Sequence, residues 1–92
     1  MYMLAANHDV EDYPRWKAVY DALDQGALGA RFGRVNRNVD NPNNLTIIHG
    51  FDTVDTAQAF INSPVLKEAM AEAGVASVPR FELFEELEVV EY

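Results

Sequence analysis

The stretch Leu45-Thr46-Ile47-Ile48-His49-Gly50-Phe51 is the strongest strand pattern in the chain, and the fold can be worked out from it in both directions. Apolar side chains occupy both alternating sets of positions, so both faces of the strand carry apolar groups. The preceding segment, Asp40 to Asn44, places Pro42 among asparagines, a composition typical of a tight turn. Arg31 to Val39 lies before that turn and is predicted to be the partner strand. The centre of the sequence is therefore a predicted β-hairpin.

A helix is predicted on the N-terminal side of this hairpin. Asp12 is a suitable N-cap, and Pro14 is tolerated in a first helical turn. Apolar side chains then recur at spacings of three and four, which forms one helical stripe. The stripe consists of Tyr13, Trp16, Tyr20 and Leu23. The helix is expected to end near Gly26, because glycine readily adopts a left-handed conformation.

A second helical segment is predicted on the C-terminal side of the hairpin. Thr53 is expected to cap it, and Ser63-Pro64 marks a restart, because a cap residue is followed there by proline in a first helical position. The first part carries Val54, Ala57, Phe60 and Ile61, and the second part carries Leu66, Ala69, Met70 and Ala73. Gly74 is expected to close the second part.

Two outer strands complete the pattern, Met1 to His8 at the start and Phe81 to Val90 at the end. The element order is then βαββαβ, which right-handed crossovers fold into a ferredoxin-like α+β domain. Its four-stranded antiparallel sheet has the strand order 4-1-3-2, with the helices on one face. The uncovered face also carries apolar groups, and a face of that kind rarely stays exposed. We therefore expect a homodimer that packs sheet against sheet.

Composition limits the class of protein. The chain has 92 residues, a formal net charge of −8 and no cysteine, which fits one domain over residues 1–92 without disulfides or thiolate chemistry. Seven Lys and Arg face fifteen Asp and Glu, which argues against binding to nucleic acid or to an anionic membrane surface. The longest apolar run, Met1 to Ala6, is too short to span a bilayer. No signal peptide is recognisable, so a cytoplasmic location is expected.

Three stretches resemble a known family: His8 to Lys17 (HDVEDYPRWK), Arg37 to Asn43 (RNVDNPN) and Ser63 to Met70 (SPVLKEAM). They are similar to the dimeric α+β barrel superfamily, and more narrowly to its small bacterial cyclase-like and antibiotic-biosynthesis-monooxygenase-like members. The resemblance covers most of the chain. It implies a homodimer whose two sheets form a barrel, with a pocket between helices and sheet in each subunit.

The two histidines are the candidate catalytic residues. His8 ends the first strand on the face of Tyr2, Leu4 and Ala6, where it is either an acid or base or a residue that caps the turn. His49 lies in mid-strand among apolar neighbours, so its imidazole needs a hydrogen-bond partner or a wet cavity. The two histidines are offset by four residues along adjacent strands, or about 14 Å. No shared metal site is expected at that distance.

Aromatic side chains are the candidate substrate-binding residues. Tyr13, Trp16 and Tyr20 form either core packing or one wall of a pocket for a flat apolar ligand, with Phe60 as the opposite wall. Gly26, Gly29 and Gly33 match no phosphate-binding pattern and are interpreted as loop residues.

Three of the seven cations, Arg31, Arg34 and Arg37, lie in one short segment. The last strand is acidic, so ion pairs between the edges of two subunits are one interpretation of this pattern. In the alternative, Arg34 points into the pocket and, like Asn36, steadies negative charge on a ligand.

The leading hypothesis from the sequence is a cofactor-independent homodimeric enzyme, cyclase-like or monooxygenase-like, that acts on an aromatic or polyketide-like molecule. No cofactor and no metal are expected. The alternatives are a non-catalytic dimer that binds a small apolar ligand or a protein, and a stress-related barrel with a filled core.

Overall fold

The computed structural model describes all 92 residues. Seven elements follow one another along the chain: β1 (Tyr2–Asp9), α1 (Tyr13–Ala22), β2 (Phe32–Arg37), β3 (Asn44–Phe51), α2 (Val54–Ile61), α3 (Pro64–Glu72) and β4 (Arg80–Glu85). The predicted α+β order is confirmed, including the restart that separates α2 from α3.

The four strands form one antiparallel sheet in the order β2-β3-β1-β4, so the predicted strand order is also confirmed. The register of β1 on β3 pairs Leu4 with His49 and His8 with Leu45. Because side chains alternate along a strand, both histidines lie on the same face of the sheet. We call this face, which carries Leu4, Leu45 and His49, the covered face.

All three helices pack on the covered face. Leu4 and Phe51 belong to one core cluster with Phe60 of α2, while Leu45 and Ile47 belong to a second cluster with Trp16 of α1. These residues are 0–4% exposed and form the centre of the core. The opposite side of the sheet, which we call the open face, carries Met3, Arg34, Asn36, Ile48 and Phe84, and no element of the chain covers it.

The helix ends differ in part from the expectations. The Thr53 hydroxyl accepts a hydrogen bond from the Thr56 amide, as a capping residue should, but Asp12 makes no such bond although it holds the N-cap position. The first helix ends at Ala22 rather than near Gly26, because Leu23 already has extended backbone angles. Gly74 does close the region after α3 with a positive φ of 74°.

Both edge strands are shorter than predicted. β2 ends at Arg37 instead of Val39, and β4 ends at Glu85 instead of Val90. The alternation of apolar and acidic residues beyond Glu85 is that of a strand, but no neighbouring strand is present there to accept its hydrogen bonds. Leu87 and Val89 are therefore exposed by 87% and 69%. No helix is long and apolar enough to cross a membrane.

Candidate functional site

An apolar cavity of about 50 Å³ lies between the covered face and the helices, and we call it the inner cavity. Its lining contains no charged side chain. The lining consists of Ala6, His8, Trp16, Tyr20, Leu23, Gln25, Ile47, His49, Phe60, Leu66, Ala69, Met70, Ala73 and Phe81. Small residues explain why the core leaves space here, because alanines at positions 6, 69 and 73 do not fill the volume that larger side chains would occupy.

His49 is buried in this lining, and its two ring nitrogens differ. Nε2 lies 3.1 Å from the Tyr20 hydroxyl, whereas Nδ1 is buried without any hydrogen-bond partner. A buried polar atom that lacks a partner costs about 1–3 kcal/mol. Burial lowers the pKa of His49 from 6.5 to about 4, so its imidazole is neutral at pH 7.

His8 lies at the far end of the same cavity and is 4% exposed. Its Nδ1 is 3.2 Å from the backbone carbonyl of Asp9. Because a carbonyl oxygen can only accept, Nδ1 carries the proton, and Nε2 is the basic nitrogen. Burial is the main cause that lowers the pKa of His8, and the carbonyl and carboxylate of Asp9 partly oppose it. His8 is therefore also neutral at pH 7.

A row of aromatic rings connects the two histidines along α1. Trp16 lies 6.1 Å from the His8 ring and 4.8 Å from the Tyr20 ring, measured between centroids. Tyr20 in turn stacks 6.0 Å from His49, and Phe60 lies 5.1 Å from His49 on its other side. The predicted pair of walls, α1 and Phe60, thus faces the same cavity.

The histidines are too far apart to bind one ion together. His8 pairs with Leu45, and His49 lies four residues further along the same strand, an offset of about 14 Å at the rise of an antiparallel strand. No group of three or more His, Cys, Asp or Glu side chains is placed to hold a metal ion.

A second, more polar cleft of about 370 Å³ adjoins the inner cavity at the edge of the sheet, and we call it the edge cleft. It lies between the end of α1 and β2, where Asp21, Arg31 and Gly33 contribute to its walls. The two spaces have four lining residues in common: Tyr20, Leu23, Gln25 and His49. The hydrogen-bonded pair of Tyr20 and His49 therefore stands between them.

Three predicted site residues do not line the inner cavity. Arg34 and Asn36 lie on the open face, which corrects the expectation that either would face the pocket of its own chain. The Arg34 guanidinium lies 4.9 Å from the Phe32 ring centroid, and the Asn36 amide donates to the Thr46 carbonyl. Tyr13 lies beyond the end of the cavity, where the Arg37 guanidinium sits 4.6 Å from its ring centroid.

The expected ion pairs between subunits have a partial alternative within the chain. Arg31 bonds the Asp52 carboxylate at 2.5 Å, so one of the three clustered arginines already has a local partner. This contact raises the pKa of Arg31 and lowers that of Asp52.

Gln25 and Gly33 contribute to the lining of these spaces but are not among the site residues predicted from the sequence. Gln25 follows the end of α1, and no pattern marks it as a site residue; its amide donates to the Tyr20 carbonyl. The interpretation of Gly33 as a loop residue is wrong, because it lies in β2, within the predicted strand Arg31 to Val39, directly opposite His49. A glycine inside a strand is a known sign of a close approach by another group, so this signal was available.

The fold and the cavity together define a class: a small ferredoxin-like α+β domain with an apolar site between its sheet and its helices. No family model matches the sequence, and no curated protein matches it either. Solved structures, however, do match this chain in fold. A cofactor-independent oxygenase from Streptomyces nogalater, SnoaB, matches with a TM-score of 0.72 at 17% identity, over 99% of this chain and 97% of its own.

Two further structures show the same fold. A proposed antibiotic biosynthesis monooxygenase from Bordetella bronchiseptica matches with a TM-score of 0.76 at 17% identity, covering 95% of this chain and 97% of its own. Rv0793 from Mycobacterium tuberculosis matches with a TM-score of 0.70 at 13% identity, covering 98% of each chain. The ferredoxin-like α+β fold that the resemblance implies for the single chain is therefore confirmed.

Proposed function

We propose that the protein is a cofactor-independent enzyme that removes a proton from a flat, apolar, enolisable molecule and lets it react with dioxygen. One observation carries this proposal: two buried, neutral histidines face one apolar cavity, and each has a ring nitrogen without a hydrogen-bond partner. An enzyme without a metal or an organic cofactor needs a base of this kind, since enolates react with dioxygen directly.

The two histidines suit different tasks. A general base works best when its pKa lies near the operating pH, and a pKa of about 4 makes His49 a weak base at pH 7. His49 is therefore the better hydrogen-bond donor to a developing enolate oxygen. His8, whose Nε2 is the unprotonated nitrogen, is the better proton acceptor.

The lining describes the substrate. Aromatic walls favour a planar ring system, and the absence of charged lining residues favours a buried part without charge. A benzene ring needs a cavity of roughly 150 Å³. The inner cavity has about 50 Å³, so flexible side chains such as Met70 and Leu23 must move when a ring enters. The edge cleft, at about 370 Å³, is where a larger ligand would extend.

The reaction balances with dioxygen as the only co-substrate. A C–H bond conjugated with the carbonyl, either next to it or linked to it through an aromatic ring, breaks; its proton passes to Nε2 of His8, and the electron pair stays on the ligand as an enolate. The enolate gives one electron to dioxygen, and the two radicals combine to form a C–O bond. His8 returns the proton to the peroxide, which loses water and leaves a second carbonyl group on the ligand.

The fold of SnoaB supports this reaction class, because that protein is a cofactor-independent oxygenase. The test uses anthrone, a tricyclic ketone with an acidic methylene group, and measures oxygen uptake above the uncatalysed rate. We expect His8→Gln and His49→Gln each to lower the rate constant by roughly a hundredfold or more, because each removes a group that acts in proton transfer or on the enolate. Lys67→Gln, on the exposed side of α3, is the matched control.

Two results with anthrone would contradict the proposed proton transfer. Unchanged oxygen uptake in both histidine variants, or no uptake above background by the unmodified protein with anthrone, would remove the proton-transfer role.

A second candidate function is a barrel that binds a small apolar ligand without catalysis. The volume of the inner cavity favours it, because about 50 Å³ suits a small group better than a polycyclic substrate. Trp16 is the one tryptophan of the chain and lines this cavity, so its fluorescence reports binding directly. Quenching of this fluorescence by anthrone, without oxygen uptake above the uncatalysed rate, would favour this function.

We also propose that two copies pack through their open faces. Apolar side chains of Met3, Ile48 and Phe84 lie on this face, and Phe84 is 48% exposed in the single chain. An apolar sheet face without a covering layer is the usual sign of a partner.

A further inference from the structure

Gly33 lies beside the hydrogen-bonded pair formed by Tyr20 and His49. A Cβ atom at this position would lie 2.4 Å from the Tyr20 hydroxyl oxygen, well inside the sum of van der Waals radii. It would also lie 3.1 Å from Cδ2 and 3.2 Å from Nε2 of His49. The hydroxyl therefore occupies the space that any other residue would fill with its side chain.

The same distances orient the His49 ring. Its Cδ2 and Nε2 edge faces Gly33 on the outer strand β2, so the opposite edge, which carries Nδ1, faces away from β2. The neighbouring strand on that side is β1, whose Leu4 pairs with His49 and is completely buried. The nitrogen without a partner is thus the one on the interior side.

The tautomer of His49 follows from its contact with Tyr20. A phenol hydroxyl is a stronger acid than a neutral imidazole N–H, and an imidazole nitrogen is a stronger base than a phenol oxygen. The favoured arrangement is that the Tyr20 hydroxyl donates to Nε2. Nδ1 then carries the ring proton and is a buried donor without an acceptor.

We propose that Gly33 is a positioning residue, whose missing side chain admits the Tyr20 hydroxyl to Nε2 of His49 and so presents Nδ1–H to the carbonyl or enolate oxygen of a ligand. This assignment rests on the proposed function for the ligand, but the arrangement of the three residues is a property of the protein alone. Gly33 acts through Tyr20 and His49 and does not itself take part in the reaction.

The experiment compares Gly33→Ala with a matched glycine. Imidazole ¹⁵N chemical shifts of the ligand-free protein give the tautomer and the pKa of each histidine. In Gly33→Ala we expect the Tyr20 ring to be displaced, the Nδ1–H tautomer of His49 to lose its dominance, and its pKa to rise from about 4 towards 6.5, because water reaches the ring. In Gly26→Ala, where the nearest atom to the added Cβ is 3.6 Å away, neither should change.

Tyr20→Phe separates the hydrogen bond from the steric effect. It keeps the ring but removes the hydroxyl, so the tautomer of His49 should shift although Gly33 is intact. The double variant Gly33→Ala/Tyr20→Phe removes the atom with which the Cβ collides most, so it should recover midpoint temperature relative to Gly33→Ala but not the original tautomer. Tyr20→Phe also carries the test if Gly33→Ala does not fold.

Unchanged tautomer and pKa of His49 in a folded Gly33→Ala, or in Tyr20→Phe, would overturn the proposal. The failure of the proposed function is distinguishable from this result. If the tautomer changes as expected but the oxidation of anthrone by the same variants does not slow, Gly33 positions His49 while His49 has no part in that reaction.

Discussion

The two faces of the sheet are built from the same four strands, yet they meet opposite conditions. On the covered face, Leu4, Leu45 and Phe51 are completely buried by helices of their own chain. On the open face, Ile48 is only half-buried, and Phe84 is 48% exposed. A single chain therefore has apolar side chains on both faces of its sheet, but its helices cover only one of the two faces.

The faces differ in how their polar groups are satisfied as well. On the open face, the Asn7 amide donates to the side chains of Asn44 and Thr46 and to the Leu45 carbonyl, at 2.9–3.2 Å. On the covered face, Nδ1 of His49 has no partner at all. The Asn7 side-chain amide is therefore satisfied within the chain, without water or a second copy. Nδ1 of His49 can still form a hydrogen bond, which makes it available to a ligand.

The largest expected effect on the free energy of unfolding comes from truncating a phenylalanine on the covered face, and the same truncation on the open face provides the comparison. Phe51→Ala deletes a fully buried ring and should lower the free energy of unfolding by about 3–5 kcal/mol. Phe84→Ala removes a ring that is 48% exposed in the single chain, so about 1 kcal/mol or less is expected at a protein concentration low enough to keep the copies apart. Urea unfolding followed by circular dichroism measures both.

Equal losses in the two phenylalanine variants would show that the open face is as well covered in solution as the face beneath the helices. The measurement should be repeated at a tenfold lower protein concentration, because burial by a second copy is lost on dilution whereas burial by the chain's own helices is not.

Much of this contrast between the faces could be predicted from the sequence. Alternation along Leu45 to Phe51 placed His49 with Leu45 and Ile47, and the structure confirms that grouping. The order of helices and strands along the chain also predicted the strand order in the sheet, because short crossovers allow few topologies. The alternation of residues does not predict the length of an edge strand, because β4 ends at Glu85, where its pairing with β1 ends, and not at a change in its own sequence pattern.

The candidate site was harder to predict than the fold. His8, His49, Trp16, Tyr20 and Phe60 do line one cavity, since each belongs to a regular face of a strand or helix. Gln25 lies past the end of α1, where no periodicity applies. The size of the cavity depends on how closely α1 and α3 approach the sheet, and no local pattern contains that distance.

The second largest expected effect is a loss of stability at low pH, which is caused by the buried histidines of the covered face. The pKa of His49 is lower in the folded protein than in the unfolded chain, so the unfolded state binds more protons between about pH 4 and pH 6.5. The free energy of unfolding therefore falls as the pH drops through this window, by roughly 3 kcal/mol for a shift of this size. His8, whose pKa is also lowered, acts in the same direction.

The measurement is urea unfolding of the unmodified protein and of His49→Gln at several pH values from 7 to 4. The slope with pH should be clearly smaller in His49→Gln, because glutamine does not titrate. Asp52→Asn is the control above about pH 5, where Asp52, whose pKa is lowered from its ordinary value by Arg31, is ionised in both the folded and the unfolded state and its loss should leave the slope unchanged. Parallel slopes for His49→Gln and the unmodified protein would mean that His49 is hydrated in the folded state.

The smallest expected change in the stability of the single chain comes from a charge on the open face, where the proposed dimer makes it informative. Ile48→Glu places a carboxylate on a surface that water already reaches in one chain, so its unfolding at low concentration should change by about 1 kcal/mol or less. In a dimer packed sheet to sheet, one such carboxylate from each copy would be buried without a partner, so the two copies should separate. Sedimentation equilibrium distinguishes the states, with Val65→Glu as control, because Val65 is 50% exposed on α3, on the other side of the molecule. A dimer that survives Ile48→Glu but dissociates in Val65→Glu would show that the helices, and not the open face, hold the two copies together.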